Sequence, residues 1–351
     1  GSLTITTATD NPASDILVAG SSKNKMLKIK VTASPEEDIF IKELTVRNDE
    51  NLDDIALASL SLDVENDLYG ISIGKFALQS NGNNAGYVTW NTSINVPANT
   101  SINLVVKGDI LSSQQASVSG TTPALSVLGA NDIKAVGASS GAEIVVSGKA
   151  VGNPMYVYNT KPTIAAGAAS PQGASSASSG MIIGEFIVNA ANNPADTGEN
   201  ALTIDNMDIT FLKNGVSLTN VKLYPKMKDL DPAYALTPQW LTEGIVRFGE
   251  DDSTVENWAN WTTSGYDKVI ENSSQTYVLR ADVANAANGS LLVKFGNLGT
   301  AGQSSLGEGD EPGDFDWNDG TTNGVFWVKQ SSTEVKLNAA TLTFASASGG
   351  M

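Results

Sequence analysis

The chain has 351 residues, 41% hydrophobic and only 7% aromatic, and 21 Lys and Arg against 38 Asp and Glu give a formal net charge of −17. It contains no Cys and no His, which removes disulfides, Cys–His and Ser–His–Asp catalysis, thiolate or imidazole zinc sites, and most haem and iron–sulfur ligation. The acidic balance speaks against nucleic acid, whose affinity rests on Lys and Arg neutralising phosphates, and against a polybasic membrane anchor. It suits a self-repelling surface, or one whose carboxylates hold cations.

The length favours two or three domains. No segment approaches the roughly 18 apolar residues of a membrane helix, so no membrane insertion by this chain is expected. No signal peptide opens it, so a secreted protein would be seen here in mature form.

Residues 3–8 (LTITTA) read as a strand, followed by a loop holding Asp10, Asn11 and Pro12. Residues 26–46 then form a signature that returns at 181–211. Each copy opens on a strand of alternating apolar residues, Leu27, Ile29 and Val31 in one and Ile182, Phe186 and Val188 in the other. Each passes an acidic, Pro-containing turn into a second strand whose apolar positions shift parity once. The first copy reads Ile39, Ile41, then Leu44, Val46; the second reads Leu202, Ile204, then Met207, Ile209. Strand side chains have period two, so an odd step moves the apolar set to the other face unless a bulge absorbs a residue.

Further along, Leu57, Leu60 and Leu62 share their spacing with Leu218, Val221 and Leu223. NLVVKGDI at 103–110 matches TYVLRADV at 276–283, and an Asn-Thr or Asn-Ser turn precedes each. Four blocks in one order predict an internal duplication. Helical signal is weak, and strands recur with turn residues between them, so the expected fold is all-β: two tandem Ig-like β-sandwich domains. The boundaries fall at 1–160 and 161–340, and the second domain carries loop insertions, the largest at 225–266. Residues 341–348 (TLTFASAS) resemble the first strands of both repeats. They form a C-terminal strand within 341–351 that either pairs as an edge of the second domain or is exchanged between subunits.

Residues 96–110 (VPANTSINLVVKGDI), 131–144 (NDIKAVGASSGAEI) and 315–329 (FDWNDGTTNGVFWVK) resemble the tandem β-sandwich repeats of prokaryotic cell-surface proteins, particularly the long secreted proteins of candidate-phyla bacteria. The resemblance implies an extracellular or cell-surface location, Ig-like sandwiches and a structural or adhesive role. It implies no catalytic residues.

The sharpest local cluster is EGDEPGDFDWNDG at 308–320. Asp310, Asp314, Asp316, Asn318 and Asp319 are candidate calcium ligands, because a hard cation wants several carboxylate and carbonyl oxygens around a sharp turn. No Glu stands at the closing position of an EF-hand loop, and Phe315 and Trp317 interleave; a strand with core aromatics and solvated acids is the alternative. Asp49, Glu50, Asp53 and Asp54 read as a solvated turn, with a second calcium site as the alternative. Trp240, Trp258 and Trp261 in the largest insertion offer either a platform for a surface glycan or a staple holding a loop to a sandwich. No carboxylate pair stands out for glycoside hydrolysis. Five sequons, at Asn91, Asn99, Asn260, Asn272 and Asn288, are permissive only. Two functions follow: a non-catalytic structural subunit whose partners are copies of itself, assembled into a filament, pilus or layer; or an adhesin or carbohydrate-binding module.

Overall fold

The computed structural model describes residues 1–48, 56–65, 72–80, 86–191, 200–249, 257–270, 272–284, 288–295, 315–321, 324–325, 328, 334–338 and 341–344. They are overwhelmingly strand and separate into two compact units, one of residues up to Asn159 and one from Thr160 onward.

The first unit runs through β1 (Ser2–Thr7), β2 (Ile16–Val18), β3 (Asn24–Ala33), β4 (Ile39–Asn48), β5 (Leu57–Glu65), β6 (Ser72–Ala77), β7 (Gln79–Ser80), β8 (Gly86–Val96), β9 (Ser101–Ile110), β10 (Leu125–Val127), β11 (Ile133–Gly137), β12 (Val145–Val151) and β13 (Tyr156–Tyr158). One half of its sheet is ordered β6-β5-β9-β3-β1 and the other β10-β4-β8-β7, with β11 also on β4. Strand β12 joins the halves, pairing parallel with β1 and antiparallel with β10. Alternation supplies the core: Leu27, Ile29 and Val31 of β3 and Leu104, Val106 and Ile110 of β9 join Ile39, Ile41, Leu44 and Val46 of β4 and Val88, Trp90 and Val96 of β8 in one buried cluster. Each such side chain, fully buried, stabilises the fold by about 1.5–3 kcal/mol relative to exposure.

The second unit runs through β14 (Pro162–Ala166), β15 (Ala174–Ser175), β16 (Met181–Ala190), β17 (Ala201–Asn214), β18 (Ser217–Pro225), β19 (Gln239–Thr242), β20 (Ile245–Gly249), α1 (Trp258–Ser264), β21 (Lys268–Ile270), β22 (Ser274–Ala284), β23 (Ser290–Phe295), β24 (Phe315–Asn318), β25 (Val335–Lys336) and β26 (Leu342–Phe344). One sheet is ordered β14-β16-β22-β18, the same sequence of neighbours as β1-β3-β9-β5. The other is built on β17, which pairs with β20, β21, β23 and β24.

The irregularities coincide as well. Where the sequence predicts a parity shift, Lys42 is the extra residue of β4 against β11, and Asp205 is the extra residue of β17 against β24. A second bulge breaks β3 against β9 between Lys25 and Leu27, and β16 against β22 between Ile182 and Gly184. Ahead of each, a residue with left-handed φ, Lys23 at 57° or Gly180 at 61°, donates its N–H to an aspartate of the neighbouring strand, Asp109 at 2.8 Å or Asp282 at 2.7 Å. The Asn-Thr and Asn-Ser turns are also one device. Asn99 and Asn272 take left-handed φ, and the next hydroxyl, of Thr100 or Ser273, donates to a carbonyl three residues back at 2.7 and 2.6 Å. That turn geometry accounts for two of the five sequons.

One expectation changes. Residues 245–249 belong to the sheet and not to an insertion, since β20 lies along β17 as β8 lies along β4. Leu342–Phe344 forms β26, which pairs antiparallel with β23 and parallel with β15 and buries Leu342 and Phe344.

Candidate functional site

The acidic loop comes first. Asp310 and Asp314 lie outside the described residues, as do Asp49, Glu50, Asp53 and Asp54. Strand β24 places Phe315 and Trp317 in the core. Asp316 is not on a solvated face: it is 2% exposed and accepts the Asn206 side-chain amide at 3.2 Å. Asn318 donates to Asp205 at 2.8 Å and accepts the Gly320 N–H. Asp319 accepts both the N–H and the hydroxyl of Thr321, which closes a tight turn. Among the described residues no three acidic side chains converge in metal-binding geometry. Asp316, Asn318 and Asp319 are thus tied into protein hydrogen bonds.

The three tryptophans do not form one platform. Helix α1 buries Trp258 and Trp261. Trp261 is 0% exposed, donates its indole N–H to the Tyr234 carbonyl at 2.8 Å, and stacks on Tyr277 with ring centres 5.4 Å apart. The stack continues from Tyr277 to Phe186, Phe295 and Phe315. These rings staple the insertion to the core. Trp240 of β19 stands apart, 44% exposed, with the Lys213 ammonium 5.5 Å from its ring centre and Phe211 packed at 6.0 Å.

Two buried carboxylates of the second unit stand in ion pairs. Arg247 grips Asp208 through two bonds of 2.8 and 2.9 Å, and Lys226 holds Glu185 at 2.7 Å. Asp267 differs: burial pushes its carboxyl above the ordinary value, against weaker opposition from its own backbone, Lys268 and Thr262. At 3% exposure it is closed to a substrate.

One open, polar cleft is formed on the first unit. It encloses about 310 Å³ and is lined by Ser22 and Lys23 before β3, Ser61 and Asp63 of β5, Ser72 and Lys75 of β6, and Lys107 and Asp109 of β9. Ser61 stands in register with Lys75 on one side and Lys107 on the other, so two ammonium groups flank one hydroxyl on the floor. The aspartates take the diagonals: Lys107 pairs with Asp63 at 2.5 Å, and Lys75 pairs with Asp109. Burial disfavours the Asp109 carboxylate, yet the Lys75 ammonium, the Lys23 N–H and the Ser59 hydroxyl outweigh it and hold the carboxyl below its ordinary value. The Lys23 ammonium is exposed and makes no ion pair among the described residues. Sequence reading misses the cleft because its residues come from four segments spread over 22–109. The one visible signal, the cation-small-Asp string shared by 107–109 and 280–282, reads there only as a mark of repetition.

No protein-family model and no curated protein matches the chain. Similar solved structures include a putative membrane anchored protein from Corynebacterium diphtheriae (9% identity, 97% of this chain and 59% of that one, TM-score 0.19). Others are the collagen binding subdomain of the Enterococcus faecalis surface protein ACE (9% identity, 44% and 94%, TM-score 0.17) and the N-terminal domain of the Streptococcus gordonii adhesin Sgo0707 (8% identity, 77% and 57%, TM-score 0.18). The chain spans less than two thirds of the first and third of these structures. Likeness at such TM-scores carries no argument about what this chain does. No helix among the described residues is long and apolar enough to cross a membrane, which says nothing of strands.

Proposed function

We propose that this chain is a non-catalytic structural protein of the cell surface, whose duplicated β-sandwich units assemble with copies of the same chain into a filament, pilus or layer. The observation that supports this reading is a recurring four-strand order, β1-β3-β9-β5 and β14-β16-β22-β18, with bulges at matching places in β3 and β16 and in β4 and β17. A scaffold with a recurring strand order, and with Asp208 and Glu185 tied into structural ion pairs, fits a building unit better than a site for chemistry. The short strand β26 offers one mode of association, because exchanging it between copies would remake the same contacts with β23 and β15. Sedimentation and negative-stain microscopy over a range of concentrations test the reading. Ordered polymers are expected, and they should be lost when residues 341–351 are deleted while both units still melt cooperatively. A strictly monomeric chain at every concentration overturns it.

A second reading, an adhesin that holds a surface glycan, is favoured by the polar cleft on the first unit.

A further inference from the structure

We propose that the cleft over Ser61 binds a carboxylate-bearing sugar residue, of the uronic or sialic acid type, with Lys23 as its principal cation; the assignment rests on the adhesin reading and names the ligand class for it.

The charge balance is the first argument. Among the described residues the cleft holds three lysines against two aspartates, a net positive point on a chain of net charge −17. Lys75 and Lys107 are engaged by aspartates, whereas Lys23 has no ion-pair partner among the described residues. An incoming carboxylate therefore has a free ammonium to meet. The Lys75 and Lys107 pairs are partly solvated, and such pairs hold little energy, so both lysines can turn toward a ligand.

The lining selects among anions. Phosphate and sulfate offer almost only acceptors and would face the Asp63 and Asp109 carboxylates. A sugar acid carries a carboxylate for the lysines and hydroxyls that donate to Asp63 and Asp109, while Ser22, Ser61 and Ser72 can serve either role. Among the described residues no apolar side chain lines the cleft, which disfavours a folded peptide. A volume of about 310 Å³ stands at the small end of ligand pockets, a size for one ring and not for an extended chain.

The sister unit supplies an internal comparison. By register, Lys23, Lys107 and Asp109 correspond to Gly180, Arg280 and Asp282. There the same place is closed: Arg280 is clamped by both oxygens of Asp229 at 2.7 Å and donates to the Gly180 carbonyl, while Ser179 and Asn220 occupy Asp282. The backbone differs in the telling direction too. Both units need a left-handed residue ahead of the bulge. The closed unit uses Gly, for which that conformation is free of strain, whereas the open unit keeps Lys in it. Strain retained where a glycine would serve marks a side chain kept for its chemistry.

Titration calorimetry of the intact chain tests this with sodium glucuronate, glucose and inorganic phosphate as separate probes. Glucuronate binds; glucose and phosphate do not at the same concentrations. Lys23→Gly weakens glucuronate by about tenfold or more, the loss of one charge-assisted contact, and leaves the melting temperature of the first unit unchanged or higher. Lys134→Gln on β11, outside the cleft, alters neither. Glucuronate binding that survives Lys23→Gly, phosphate bound as well as glucuronate, or an Asp- and Glu-rich peptide bound in preference overturns the proposal. Immobilised neutral and acidic glycans separate this site from the reading beneath it. Neutral glycans bound equally by the wild type and Lys23→Gly overturn the site while the adhesin reading stands; no glycan bound at all removes both.

Discussion

Replacing Arg247 by Met strips one half from a charge pair that solvent does not reach. Arg247 and Asp208 face each other across β20 and β17, their side chains 3% and 0% exposed, and the guanidinium meets both carboxylate oxygens. Asn206 through Ile209 are all buried here, so a carboxylate that loses this guanidinium is not compensated by water. Breaking a buried pair in this way costs about 3–5 kcal/mol. For a unit of roughly 190 residues, where 1 kcal/mol moves Tm by about 2–4 °C, the second unit should melt about 6–20 °C lower. Adding Asp208→Leu removes the stranded charge, and a buried pair replaced by apolar side chains of similar volume is often neutral or stabilising. The double variant should therefore recover most of the loss. Scanning calorimetry of the intact chain reads both, with the transition of the first unit as an internal reference. A shift below about 2 °C for Arg247→Met, or a double variant less stable than the single one, would refute this account of the pair.

Three further outcomes are expected. Burial raises the Asp267 carboxyl, so this group favours the folded state below its unfolded value of 3.8 and loses that contribution as pH rises through its folded value. Asp267→Asn should raise the Tm of the second unit at neutral pH and have little effect near about pH 3, where both states are protonated; equal gains at both would point to packing instead. Trp261→Ala removes the central ring of the α1 staple and should destabilise the second unit by about 3–5 kcal/mol with loss of near-UV circular dichroism; an unchanged near-UV spectrum would mean the stack is not ordered in solution. Calcium is the cation proposed for the loop at 308–320: it should raise, and EDTA lower, the transition of the second unit, and a melt indifferent to both would mean that no calcium is held there.

The parity shift in the apolar pattern was legible because period two allows only a bulge to absorb an odd step, and the structure places bulges at Lys42 and Asp205. The opening of the repeated signature was misaligned. Register pairs Asn24, not Met26, with the position of Met181, since two apolar residues of similar character hide a slip of two. The alternative that sets Asp316 on a solvated face fails, because alternation tells which residues share a face, not whether another layer covers it. Asp208 and Arg247 escaped notice for the same reason: a buried pair spells two polar letters, and only tertiary pairing of segments 39 residues apart reveals the charge balance. The cleft needed four segments brought together, information that no local pattern contains.

The parallel pairing of β1 with β12 has a mechanical consequence. Ser2 through Thr6 run alongside Val145 through Lys149 in the same direction, and β2 runs likewise beside β13, the last strand before Asn159. Tension applied across the first unit draws β1 toward its start and β13 toward its end, so parallel neighbours slide lengthwise against each other. Five registered positions of β1 and three of β2 then resist together in shear, instead of opening one hydrogen bond at a time from a free end. Rupture under load is governed by the unfolding barrier rather than by equilibrium stability. The closure of this unit thus sets how long it would withstand a pull between its two ends.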